Sequence, residues 1–302
     1  MRISRLRSFV CATSWVLLAS CSSSTGANGA GGAAGTLYLN AEIHATVYSF
    51  DLSSGNTKKL VSCADPYVTP QGTILCVSTA AGSSGDLGEY SADGTTFRTI
   101  VKQNFQAPYA VTYDDHFQNP QLSPDGKEVV YEGQFSVGYD IYVVDRATGA
   151  LLASSNPPTV GIGFLRPTWT PNGRLVVAGH DNQGLYLSDA TWTTFTRFDP
   201  GLASPSDPAV SPDGTSVAFV LNGQVYTLGI DGTGLKPIMT TSTTNSWPTW
   251  SPDGKSIAFY SDTSIFIAPV AGGASADIRN LSAAADNWMT FTSTHSGAFS
   301  WR

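Results

Sequence analysis

One eight-residue phrase recurs along this chain of 302 residues and limits the architectures open to it. Five copies are clear: Asp65-Pro-Tyr-Val-Thr-Pro-Gln-Gly72, Asn119-Pro-Gln-Leu-Ser-Pro-Asp-Gly126, Arg166-Pro-Thr-Trp-Thr-Pro-Asn-Gly173, Asp207-Pro-Ala-Val-Ser-Pro-Asp-Gly214 and Trp247-Pro-Thr-Trp-Ser-Pro-Asp-Gly254. A worn sixth, Trp288-Met-Thr-Phe-Thr292, precedes a looser turn ending at Gly297. Successive copies start 54, 47, 41, 40 and 41 residues apart. A period near forty with several strands per unit is the signature of a β-propeller.

The text between the phrases repeats as well. A β-rich apolar segment follows each copy (Ile74–Val77, Val129–Tyr131, Leu175–Val177, Val217–Val220, Ile257–Tyr260), then a second (Ile141–Asp145, Leu185–Leu187, Val225–Leu228, Ile265–Ile267). A weaker third ends the unit, as in Leu235–Met239 and Ile278–Leu281. Short β-branched and aromatic runs bounded by Gly, Asp and Asn are strands, and no convincing 3.6-residue period marks a helix. Within the phrase, the second proline interrupts ladder pairing and Asp-Gly or Asn-Gly makes the turn. Asp125, Asp213 and Asp253 are therefore expected to bond their own turn backbone. The fourth position (Val68, Leu122, Trp169, Val210, Trp250, Phe291) is expected to pack between neighbouring units.

The expected fold is all-β, a six-bladed propeller of four-stranded antiparallel blades, one of them closed by both chain ends. Thr36–Leu39, Val47–Phe50 and Lys58–Val61 match the three strands after a phrase but have no phrase before them. Met289–Thr292 is assigned as their missing inner strand. Ala298–Trp301 is then surplus, either adding to that blade or displacing Thr36–Leu39. Closure removes sheet edges, which otherwise invite aggregation. Seven blades would require two very degenerate repeats.

The first residues read as an export signal. Arg2, Arg5 and Arg7 precede an apolar run from Phe9 to Leu18, which is shorter than the ~20 residues a transmembrane helix needs. Leu18-Ala19-Ser20-Cys21 resembles a bacterial lipobox, which implies cleavage before Cys21 and acylation of its thiol. The expected division is thus a signal peptide at 1–20, a lipidated Cys21 with a flexible Ser/Gly/Ala linker to residue 35, and the propeller at 36–302. Ser22 after the cysteine, rather than Asp, points to the outer membrane under the usual sorting rule.

Removing Arg2, Arg5 and Arg7 leaves 13 basic against 23 acidic residues. That balance repels phosphate backbones, so nucleic acid is not an expected partner. With Cys21 lipidated, Cys63 and Cys76 remain as a pair in an oxidising compartment. They flank the first phrase slightly off direct register. A disulfide is the expectation, with two buried thiols as the alternative and a metal site as the weakest reading.

Pro-x-Trp-Ser-Pro-Asp-Gly-Lys followed by Ile-Ala-Phe, at 248–259, resembles the repeat of TolB-type propellers, which also occurs beside prolyl-oligopeptidase domains. The resemblance covers about residues 36–302 and implies the fold, but propellers host many activities. The chain departs from TolB in lacking its N-terminal α/β domain and in carrying its own lipid anchor. Membership of the Tol-Pal system does not carry over, and only a binding-scaffold role does.

The residue before each first proline should face the central channel. Those residues are Asp65, Asn119, Arg166, Asp207, Trp247 and Trp288, and they vary in type as a recognition ring would. They are the candidate binding residues, set against a reading as solvated or turn-capping residues. Tryptophan and arginine are common in binding hot spots. The longest insertion, 102–118, adds Phe105, Tyr109, Tyr113 and Phe117 as aromatics packing a loop, and Asp114, Asp115 and His116 as a polar set.

No catalytic residue, cofactor or metal is expected. His44, His116, His180 and His295 are scattered. TolB-like oligogalacturonate lyases hold a metal in the channel, and His116, Gln118 and His295 match that arrangement only loosely. Gly-x-Ser-x-Gly, dinucleotide and P-loop fingerprints are absent from the sequence. The expected function is a non-enzymatic, periplasm-facing envelope lipoprotein, monomeric, whose propeller binds an envelope protein or peptide segment. The alternative is a carbohydrate-binding or carbohydrate-active propeller using Arg166, Trp247 and Trp288.

Overall fold

The computed structural model describes residues 34–41, 46–80, 85–103, 116–135, 138–155, 163–180, 183–238, 244–261, 264–277 and 300–302. Their strands form six four-stranded antiparallel sheets. The first sheet holds β1 (Thr36–Ala41), β2 (Thr46–Asp51) and β3 (Thr57–Lys59), together with β24 (Ser300–Trp301) from the far end of the chain. The second contains β4 (Cys63–Val68), β5 (Ile74–Ser78), β6 (Leu87–Tyr90) and β7 (Phe97–Val101), and the third β8 (His116–Leu122), β9 (Glu128–Phe135), β10 (Gly138–Asp145) and β11 (Leu151–Ser154). The fourth contains β12 (Phe164–Trp169), β13 (Leu175–Gly179), β14 (Leu185–Ser188) and β15 (Phe195–Arg197), and the fifth β16 (Ser206–Val210), β17 (Ser216–Leu221), β18 (Gln224–Gly229) and β19 (Lys236–Pro237). The sixth is β20 (Asn245–Trp250), β21 (Ser256–Ser261), β22 (Ser264–Pro269) and β23 (Ala276–Asp277). The inner strands β24, β4, β8, β12, β16 and β20 touch in cyclic order, so the sheets are the blades of a closed six-bladed propeller.

Six buried apolar clusters lie one at each blade interface. The fourth residue of the phrase feeds four of them: Val68, Leu122, Trp169 and Trp250 are buried against the preceding blade, whereas Val210 is only half-buried and joins none of the clusters. Two of these indoles also reach across, Trp169 Nε1 donating to the Gln121 carbonyl at 3.3 Å and Trp250 Nε1 to that of Ala209 at 2.9 Å. Burial and a satisfied N–H together explain why tryptophan suits this slot. The turn acids behave as expected. Ser123, Ser211 and Ser251 hydroxyls donate to Asp125, Asp213 and Asp253 at 2.9, 2.6 and 2.7 Å, and backbone N–H groups two residues on donate to the same carboxylates.

Closure by both ends holds, but through a different strand. Leu37 pairs with Trp301 and Tyr38 with Ser300. In the other blades the fourth phrase residue faces the same strand position, as Val68 faces Ile74 and Trp250 faces Ile257. Trp301 therefore fills the slot assigned to Phe291, and Ser300–Trp301, from the segment read as surplus, supplies the inner strand. Met289–Thr292 lies outside the described residues. Trp301 is 2% exposed, donates from Nε1 to the Ala34 carbonyl at 2.9 Å, and joins the cluster between the first and sixth blades. Arg302 donates from Nε to the Val68 carbonyl at 2.9 Å, tying the clasp to the second blade.

Cys63 and Cys76 are joined in a disulfide with 6.0 Å between their Cα atoms. Cys63 faces Ser78 across the β4–β5 ladder, so the bridge runs diagonally, and both cysteines are fully buried.

Candidate functional site

Each complete inner strand breaks register at the same point, between Ala64/Tyr67, Gln118/Gln121, Leu165/Thr168, Ser206/Ala209 and Ser246/Thr249. The first phrase residue and its proline sit in that bulge. Proline supplies no N–H to the ladder, and the residue before it turns left-handed: φ is 49° at Asp65, 51° at Asn119, 57° at Arg166, 51° at Asp207 and 54° at Trp247. Asn and Asp tolerate this region comparatively well, whereas Arg and Trp hold it at a cost of order 1–2 kcal/mol each. The same device in five blades brings five side chains to one cavity of about 560 Å³ in the central channel. The S-P-D-G turns border the same cavity, with Pro70, Pro124, Pro171, Pro212 and Pro252 on its wall.

These side chains form a connected network. Arg166 Nε lies 3.4 Å from an Asp207 oxygen, and its guanidinium sits 3.9 Å from the centre of the Trp247 ring. Asn119 Nδ2 donates to Glu132 Oε2 at 3.1 Å, and the Arg166 backbone N–H donates to the same oxygen at 2.9 Å. The Asn119 N–H in turn donates to the Asp65 carboxylate. Asn40, in the amide orientation its neighbours require, accepts from the Asp65 N–H at 3.0 Å. Three bulge N–H groups freed from the ladder are thus each captured by a side chain of the blade before.

Electrostatically the ring is strained toward neutrality. Burial pushes the Asp65 carboxyl up to about 7, the Glu132 charge adds to the rise, and the Arg166 charge and the Asn119 N–H oppose it. Burial also raises Glu132, against the pull of the Arg166 charge and the hydrogen bonds from Arg166 and Asn119.

Of the predicted ring, Asp65, Asn119, Arg166, Asp207 and Trp247 converge. Trp288 lies outside the described residues. Counting back from Trp301 as in the other blades, the sixth first position is Ala298, which also lies outside them. The ring is more enclosed than a solvated rim: Trp247 is 7% exposed and packs in the cluster that holds Trp301. It offers no open indole face for a sugar, which removes support from the carbohydrate reading. Phe117 belongs to β8 and packs edge-on to Tyr131 at 5.2 Å rather than pinning a loop. Residues 104–115, with Phe105, Tyr109, Tyr113, Asp114 and Asp115, lie outside the described residues, as do His44, His295 and the side chain of His116. His180 packs at a tilt against Tyr139, with ring centres 5.3 Å apart. Among the described residues no three His, Cys, Asp or Glu side chains are grouped to hold a metal. No described helix is long and apolar enough to cross a membrane.

Glu132 and Asn40 escaped the sequence reading. Register places Glu132 level with Val77, Ala178, Val220 and Tyr260, each facing the residue just before a bulge. A polar residue three positions beyond the one facing the fourth phrase position (Val129 for Glu132, Leu37 for Asn40), where four other blades carry Val, Ala or Tyr, is the signal that marks them.

A protein-family profile described as PD40, TolB beta propeller domain, matches residues 108–296. Among solved structures, the chain is similar to TolB from Acinetobacter baumannii at 17% identity and a TM-score of 0.53, covering 80% of this chain and 67% of that one. It is similar to a putative TolB from Agrobacterium tumefaciens at 18% identity and TM-score 0.62, over 79% and 89% of the two chains. A chain of a Nidogen/Laminin complex matches at 12% identity and TM-score 0.59, over 78% and 89%. At these identities the structures share the fold alone. The profile match spans more than half of the chain, and with it the bulged, proline-marked repeat shows that this protein belongs to the TolB beta-propeller domain family.

Proposed function

We propose that this protein is a non-enzymatic envelope lipoprotein whose propeller is a scaffold for a protein partner, engaged at the channel ring. The observation that carries the reading is the division of labour within the phrase. Its prolines, turn residues and fourth position are spent on the fold, while its first position, left-handed in five blades and changing from acid to amide to arginine to tryptophan, lines a shared cavity. The buried Cys63–Cys76 bridge suits an oxidising compartment, and the Arg-led apolar start ending at Cys21 suits lipid attachment there.

The test is capture from envelope extract by the immobilised propeller, with bound proteins identified by mass spectrometry. Asp207→Asn and Arg166→Gln variants serve as controls, because Trp247→Ala would also disturb the blade interface. Specific capture that weakens in both variants supports the scaffold. No specific capture, or capture indifferent to both, refutes it. Membrane attachment is tested separately: Cys21→Ser should move the protein from the membrane to the soluble envelope fraction, and an unchanged distribution refutes lipidation.

A further inference from the structure

We propose that the channel ring is a binding site for a primary alkylammonium group, seated between the Asp65 carboxylate and Oδ1 of Asn119, with its apolar stem along the proline wall. Most of the ring's polar groups are already committed to one another. Glu132 is 1% exposed and holds the Asn119 amide and the Arg166 N–H. Arg166 is engaged by Asp207 and lies over Trp247. Two groups remain. Asp65 pairs with no cation among the described residues and accepts only the Asn119 N–H. Asn119, 4% exposed, has its Nδ2 fixed toward Glu132, which leaves Oδ1 buried with no partner among the described residues.

A buried carbonyl oxygen without a donor costs free energy, as does a largely buried carboxylate whose nearby guanidinium, that of Arg166, is already paired with Asp207. One ligand group relieves both: a cation that donates several hydrogen bonds from a single atom. An ammonium has three such donors. Two oxygens, one charged and one neutral, are a thin shell for a divalent ion but suffice for an ammonium that keeps a water. The walls fit the rest of such a ligand. Pro66, Pro120, Pro167, Pro208 and Pro248 line the cavity beside the ring, an apolar sleeve of the kind along which an alkyl stem lies while its charged end stays polar. The ammonium comes from a lysine side chain of an inserted segment or from a free alkylamine, and the chemistry of the seat is the same.

The experiment is calorimetric titration of the intact protein with hexylammonium, with acetyl-Gly-Lys-Gly-amide, and with hexanol as the uncharged control. Saturable binding of either ammonium probe, at least tenfold tighter than hexanol and lost at least tenfold in Asp65→Asn, is expected. Tighter binding of the peptide identifies a protein segment as the source, and tighter binding of hexylammonium a small amine. Asparagine keeps the left-handed backbone and an acceptor for the Asn119 N–H, so the variant should fold. A second measurement needs no variant. With Asp65 titrating near 7 and faced by Glu132 from β9, Arg166 from β12 and Asp207 from β16, affinity should fall about tenfold from pH 8 to pH 6. No saturable ammonium binding, equal binding of hexanol, or affinity indifferent to both Asp65→Asn and pH overturns the site. The outcome is separable from the scaffold reading: probe binding without protein capture leaves this site and removes the scaffold, and capture without probe binding does the reverse.

Discussion

Replacing Asp65 by asparagine should stabilise the unliganded protein at alkaline pH and leave it unchanged in acid. The folded carboxyl titrates at about 7 against an ordinary value of 3.8. Below pH 4 it is neutral whether the chain is folded or unfolded, and its burial costs nothing electrostatic. As pH rises from 4 to 7 the unfolded chain gives up this proton more readily than the folded one, so stability is lost across that window. The full difference corresponds to roughly 4 kcal/mol. Asp65 keeps partial access to the channel, so about half of that, roughly 2 kcal/mol, is the expected gain in the variant at pH 8. For a domain of this size it raises Tm by about 5 °C.

The substitution is clean for three reasons. Asparagine accepts a φ near 50°, its oxygen still receives the Asn119 N–H, and its backbone N–H still meets Asn40. Urea unfolding of both proteins, followed by tryptophan fluorescence at pH 8 and pH 4, gives the difference directly. Glu132 is raised by burial in both proteins and so largely cancels. A variant less stable than the parent at pH 8, or a gap that persists at pH 4, would refute the reasoning.

Three further outcomes follow from the packing. Glu132→Leu should cost about 3 kcal/mol in urea unfolding, because the Arg166 N–H and the Asn119 amide lose their acceptor, whereas Glu132→Gln should cost under about 1 kcal/mol; equal losses would mean the hydrogen bonds are not what matters. Trp301→Ala should destabilise by about 3–5 kcal/mol, and removing residues 300–302 should shift the protein toward oligomers on size-exclusion chromatography as the β1 edge opens. Replacing both Cys63 and Cys76 by alanine should lower stability by about 3 kcal/mol, as expected for a bridge of sequence separation 13. Mild reductant should leave the native bridge intact, since both cysteines are fully buried, and rapid reduction without unfolding would contradict that burial.

The blades were legible because the phrase fuses a bulge, an inner strand and a turn into one string whose prolines and glycines cannot be mistaken for helix. The sixth copy misled for a related reason. At the clasp Trp301 is followed by Arg302 rather than by the Ser/Thr-Pro of the phrase, so Ala298–Trp301 shows only a tryptophan, while Trp288–Thr292 offers a decoy at the expected spacing. The ring positions could be named from sequence, but their mutual engagement could not. Whether Arg166 meets solvent or lies over Trp247 depends on two blades separated by 81 residues. Glu132 was invisible for the same reason. A lone acid in an apolar run reads as a solvated strand residue until the neighbouring bulge presents it with an N–H.

Thr36 and Arg302 exchange backbone hydrogen bonds at the place where each other blade makes its S-P-D-G turn. Whatever precedes Ala34 therefore leaves the propeller on the turn face, beside one mouth of the channel. A coil of the length of residues 22–35 spans about 20 Å, less than the width of a folded domain of ~100 residues. Were Cys21 lipidated, as proposed above, the turn-side mouth would be the one nearer the lipid surface. A folded partner would then meet the opposite face more readily. On the proposed anchoring, the Thr36–Arg302 exchange would decide which mouth of the channel is turned toward the membrane.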